Sequence, residues 1–153
     1  MADIATLSGV SRSTFYAHYS SMDALLADSI SGPFAILADT FQPRFVQAKL
    51  VALLDHFWEN RHLARGILIG HARGKATNVL VLLIEDRLKS IGLSSRGLII
   101  LPRRLAAIQL AEILLAPVTA WLLGESRCSS VALAIALRRV SSAAVNSMIT
   151  RAG

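Results

Sequence analysis

The stretch that most constrains the fold is residues 3–26, DIATLSGVSRSTFYAHYSSMDALL. Ile4, Ala5 and Leu7 give a first short helix a small apolar face. Gly9 permits the positive φ of a sharp inter-helix turn, and Val10 plugs the corner. Ser11 is placed to cap a second helix, its hydroxyl accepting an orphan backbone N–H. That helix carries Arg12, Ser13, Thr14, Tyr16 and Ala17 outward, while Phe15 and Tyr19, four apart, turn inward. Ser20 or Ser21 caps a third helix, with Asp23 in its first turn where a carboxylate suits the macrodipole. The stretch reads as a helix-turn-helix, and such motifs place the second helix in a major groove. Arginine can read a guanine edge bidentately, while hydroxyls and a phenol suit phosphate oxygens. Ser11, Arg12, Ser13, Thr14, Tyr16 and His18 are therefore the DNA-facing candidates, weighed against a plain solvated helix face.

The pattern IA-x-x-SGVS-x-x-TFY-x-HY-S-S-x-x-ALL resembles the DNA-binding signature of the tetracycline-repressor-like (TetR) transcriptional regulators. The resemblance implies an all-α protein with a helix-turn-helix head (residues 1–31) and a helical-bundle effector-binding and dimerisation domain (residues 32–153). It implies a homodimer gripping a palindromic operator and responding to a small-molecule effector, and it sets Thr14, Tyr16 and His18 at or near the DNA backbone. Two departures weaken DNA contact. Family members carry one more helix before this motif, usually after a basic arm, whereas this sequence starts at Met1, inside or just before the motif's first helix. Met22 also stands where the family usually has a phosphate-meeting lysine. A dimeric ligand-binding or protein-interaction module without effective DNA binding is the alternative these departures support.

The 153 residues are 54% hydrophobic, enough for a good core but short for two independent domains, so a small head sharing a helix with a larger body fits best. Net charge is +6. Up to Ser31, Asp3, Asp23 and Asp28 against Arg12 leave −2, so the difference places +8 from Gly32 onward. The motif thus brings shape, and much of the phosphate attraction has to come from elsewhere. Mean hydropathy is +0.53. The longest apolar stretch, residues 105–123, is interrupted by Gln109, Glu112 and Pro117, short of the roughly 18 uncharged residues a membrane span requires. There is no charged-then-apolar leader pattern, and the lone Cys128 suits a reducing cytoplasm without an internal disulfide. The histidines His18, His56, His62 and His71 lack metal-ligand spacing. No phosphate loop, nucleophile elbow or Cys–His signature suggests an enzyme, and nothing calls for a cofactor.

Along the body, Leu25, Leu26, Ile30, Phe34, Leu37 and Phe41 recur at helical intervals, predicting one helix over residues 22–41 that bends at Gly32-Pro33 rather than stopping. Helices follow over residues 45–60 and 61–70, then a polar connector, residues 71–76. Residues 77–91 contain VLVLLI. With no partner strand elsewhere, a buried central helix ended by Gly92 is favoured over a strand. Two long helices, residues 103–123 (kinked by Pro117) and 129–151, close the chain. The last is rich in small residues, so the two helices from each subunit are expected to form a four-helix dimer interface. For the effector site, His56, Trp58, His71, Gln109, Glu112 and Trp121 are the candidates, polar-handled or aromatic residues among apolar ones. Glu112 stands out because an acid among leucines is costly to bury unless paired. A cationic ligand, Arg104 of the same helix, and water are its alternative partners.

Overall fold

The computed structural model describes residues 22–94 and 98–150; the candidates Ser11, Arg12, Ser13, Thr14, Tyr16 and His18 lie outside the described residues. Helix α1 (Met22–Asp39) runs unbroken through Gly32-Pro33. Proline cannot donate the N–H that normally pairs with the carbonyl four residues back, here Ser29. Tertiary packing offsets that loss, because Leu25, Leu26, Ile30, Phe34, Leu37 and Ala38 are all buried along one side. Helix α2 (Gln47–Glu59) buries Leu50, Leu53, Leu54 and Phe57. Asn60 divides it from α3 (Arg61–Leu68): the Asn60 backbone N–H and its side-chain amide both donate to the His56 carbonyl, each at 3.0 Å.

Gly70 adopts φ +83°, a left-handed conformation that favours glycine, and leads through a 3₁₀ turn (Gly70–Ala72) into α4 (Arg73–Ser94). Two boundaries differ from expectation here. Residues 73–76 belong to the helix rather than to a polar connector, because Ala76 is fully buried and starts the apolar stripe one turn early. Gly92 lies inside the helix rather than ending it. VLVLLI is helical as expected, with Leu80, Val81 and Ile84 buried and Leu82 facing outward. Helix α4 is the central element, packing on α1 along one side and on α5 along another.

Helix α5 (Arg103–Leu122) passes through Pro117 without interruption and buries nine residues, among them Leu110, Leu114, Leu115 and Val118. Its 18-residue apolar window has the length and composition to cross a membrane, yet half of it is buried inside the fold, as expected of a core helix. It stops at Gly124, φ +77°. There the Gly124 and Glu125 N–H groups return to the Trp121 and Ala120 carbonyls at 3.1 Å each, satisfying the helix end. Helix α6 (Ser130–Met148) is capped by Ser129, whose hydroxyl accepts the Ala132 N–H at 3.0 Å. It packs on α2 and α5.

The final helix ends at Met148 rather than continuing to Arg151. Ile149–Thr150 (β2) instead pairs antiparallel with Leu98–Ile99 (β1), in register Ile99 to Ile149. Ile99 and Ile149 both pack on the core, and Ile100 N–H donates to the Met148 carbonyl at 2.9 Å. This two-residue ladder was invisible as a period-2 pattern, and it leaves the protein all-α.

Part of the body's positive charge is used internally. Arg138 of α6 donates to the Thr40 carbonyl and, at 2.7 Å, to the Gln42 carbonyl just beyond α1, with its guanidinium over the Phe45 ring. Arg87 of α4 donates to Asp39 Oδ1 at 2.6 Å. The Asp39 hydrogen bond raises the Arg87 pKa above its ordinary value, against the opposing effect of burial. Arg65 donates to the Leu122 carbonyl at 2.6 Å, and Arg73 to the Leu68 carbonyl at 3.3 Å.

Two substitutions measure these contributions. Leu114→Ala removes a fully buried side chain, and chemical denaturation is expected to show a loss of roughly 2–5 kcal/mol. Arg138→Met keeps the apolar stem but takes the guanidinium donor from the Thr40 and Gln42 carbonyls, of which Gln42 keeps the Phe45 N–H at 3.1 Å. It is expected to cost about 1–3 kcal/mol, read as a lower melting temperature with the helical circular dichroism spectrum preserved.

Candidate functional site

The concave feature best suited to a small molecule lies where α1, α2 and α3 meet. It is a cavity of about 310 Å³ lined by Ser29, Ile30, Pro33 and Phe34 of α1, by His56 and Phe57 of α2 with Asn60, and by Leu63, Ala64, Ile67 and Leu68 of α3. The local sequence dictates this shape. Asn60 ends α2 and α3 restarts at once, and the cavity lies between this junction and α1. The wall is mostly hydrophobic, as ligand sites are, and among the described residues no Asp, Glu, Lys or Arg belongs to it.

Three polar residues face this space. Asn60 Nδ2 lies 3.3 Å from His56 Nδ1 and is also committed to the His56 carbonyl, so much of this pair's polarity serves the end of α2. The Ser29 hydroxyl differs: it is shielded from solvent and has no hydrogen-bond partner. An unsatisfied buried hydroxyl costs about 1–3 kcal/mol.

Of the six residues singled out for an effector, His56 alone lines this cavity. Trp58 and Trp121 meet each other instead, ring centroids 5.1 Å apart at 36°. Arg61 lies 4.9 Å above the Trp58 ring, and the Trp121 indole N–H donates to the Cys128 carbonyl at 3.0 Å. This cluster fastens α2 to α5. Glu112 is half exposed and pairs with Arg73 of α4 at 3.2 Å. Arg104 reaches α4 instead, donating to Asn78 at 2.8 Å and to Glu85 at 3.4 Å. Arg73 also donates to Thr119 Oγ1 at 2.6 Å, so the acid among leucines belongs to a helix-to-helix contact. His71 and Gln109 are exposed. Among the described residues no three His, Cys, Asp or Glu side chains gather as metal ligands.

Ser29, Asn60 and the α3 wall were not anticipated. A serine four residues before a proline in an apolar helix was the signal available for Ser29.

No curated protein and no solved structure matches this chain. Residues 1–28 match the family model described as bacterial regulatory proteins, tetR family, the segment in which the helix-turn-helix was read. That match supports a DNA-binding transcriptional regulator.

Proposed function

We propose that this chain is a homodimeric, effector-responsive transcriptional repressor of the cytoplasm. Each subunit presents Ser11, Arg12, Ser13, Thr14, Tyr16 and His18 to one of two major grooves about 34 Å apart on a palindromic operator. A small, mostly apolar effector releases it. The observation that carries this reading is the position of the cavity. Its α1 wall starts at Ser29, one residue after the family match ends, on a helix that starts within the matched segment. A molecule lodged there touches the element that leaves the head, and it acts through its differential affinity for DNA-competent and DNA-incompetent arrangements.

Association is supported by the outer faces of the last two helices. Leu105 and Ile108 of α5 and Val131 and Val140 of α6 are exposed, and Ala132, Ala136 and Ala143 of α6 are exposed beside them. Small residues allow close approach of helices across a two-fold axis.

Fluorescence anisotropy with duplex from upstream of the gene tests the reading, using this chain and an in-frame upstream extension of it. Specific binding is expected to weaken by about three orders of magnitude or more between 50 and 200 mM salt if six or more phosphates are contacted. Arg12→Ala is expected to cost about tenfold or more at the cognate site. An intact dimer that fails to bind in either form would instead identify the interaction-module alternative.

A further inference from the structure

We infer that two copies of the chain associate with α5 of each lying along α6 of the other, and that Glu112 of each subunit pairs with Arg139 of the partner subunit. This rests on the reading of α5 and α6 as the dimer interface, and adds which faces meet and what fixes them.

The relative heights of residues on the two helices are set at both ends. Before α5 and after α6, Ile99 pairs with Ile149, and the Ile100 N–H donates to the Met148 carbonyl at 2.9 Å. At the opposite end the Trp121 indole N–H donates to the Cys128 carbonyl at 3.0 Å. The two helices are therefore antiparallel, and they pack on each other. With equal rise per residue, Leu105 is about level with Ala143, and Glu112 with Ala136. Arg139 lies three residues further along α6, about 4.5 Å in height.

The open face has a simple charge pattern. Helix α5 exposes Leu105, Gln109, Glu112 and Ala116, and α6 exposes Ala132, Ala136, Arg139 and Ala143. Both sets keep the spacing of a single helical face. Each stripe carries one charge, close to the midpoint of its helix, since α5 spans Arg103–Leu122 and α6 spans Ser130–Met148. Glu112 holds Arg73 through Oε2 alone, and its side chain stays half exposed. Among the described residues Arg139 makes no ion pair.

Two orientations of a two-fold axis lying in this face align the helices of the two copies. An axis across the helices stacks each helix head to tail on its own copy. At full overlap it sets Glu112 against the partner's Glu112 and Arg139 against the partner's Arg139, and such like-charge contacts oppose association. An axis along the helices keeps every residue at its height and lays α5 over α6 of the partner subunit. Glu112 then lies within one helical turn of the partner's Arg139, twice by symmetry. Leu105 falls on the partner's Ala143, a bulky side chain on a small one. Charge decides for the second arrangement.

The test uses the full 153-residue chain. Leu105→Cys and Ala143→Cys, each combined with Cys128→Ser, are co-expressed with different tags and oxidised. A disulfide-linked dimer carrying both tags is expected. Neither variant alone is expected to cross-link, because the two copies of each position then lie on diagonally opposed helices. In sedimentation equilibrium, Arg139→Glu is expected to weaken the dimer about tenfold or more, with the circular dichroism spectrum unchanged. Adding Glu112→Arg to it is expected to restore the dimer to within about threefold of the original chain.

A dimer that is indifferent to Arg139→Glu, or that cross-links in either single variant but not in the mixed pair, overturns the inference and leaves the dimer standing. A chain that sediments as a monomer at every concentration overturns the dimer reading and the inference together.

Discussion

The body is organised by guanidinium groups that hold the ends of helices. An α-helix leaves its last carbonyls without internal donors, and its C-terminus carries partial negative charge. Arg138 spans from α6 to the Thr40 and Gln42 carbonyls beyond α1, Arg65 caps α5 at Leu122, and Arg73 reaches Leu68 at the end of α3. The Arg138 and Arg65 contacts join elements distant in sequence, while Arg73 ties α4 back to the helix just before it. The excess positive charge of residues 32–153 is in part this internal fastening.

Helix α1 gains most from this arrangement. Its end is fixed twice, by Arg138 on the carbonyls and by Arg87 on Asp39. Its middle contains the Gly32-Pro33 pair, where backbone pairing is weakest. Its start belongs to the segment matched to the regulator family.

Helix existence and order were legible from apolar spacing, because burying one face is what makes each segment helical. Leu25, Ile30, Phe34 and Leu37 announced α1 despite the proline, and VLVLLI announced α4. Boundaries were less legible wherever tertiary contacts outweighed local signals. Gly92 lacks intrinsic helix preference but is carried by the helix around it, and residues 73–76 look polar until Ala76 is seen in the core. The ladder at Ile149–Thr150 depends on two residues meeting two others some fifty positions away, which no local period encodes. The site was less legible still. Aromatic and acidic residues attract attention in a list of letters, yet Trp58, Trp121 and Glu112 found partners inside the fold. The cavity is bounded instead by residues around the interruption at Asn60 and by the Ser29–Phe34 stretch of α1.

The same accounting bears on how a small molecule moves so large an equilibrium. Shifting a two-state protein from about 1:99 to 99:1 needs roughly 5.5 kcal/mol of differential binding. Drug-sized ligands gain about 0.3 kcal/mol per non-hydrogen atom, and the best tiny ones about 1.5. An occupant of on the order of ten atoms therefore has little binding energy to waste on contacts that are equal in both states.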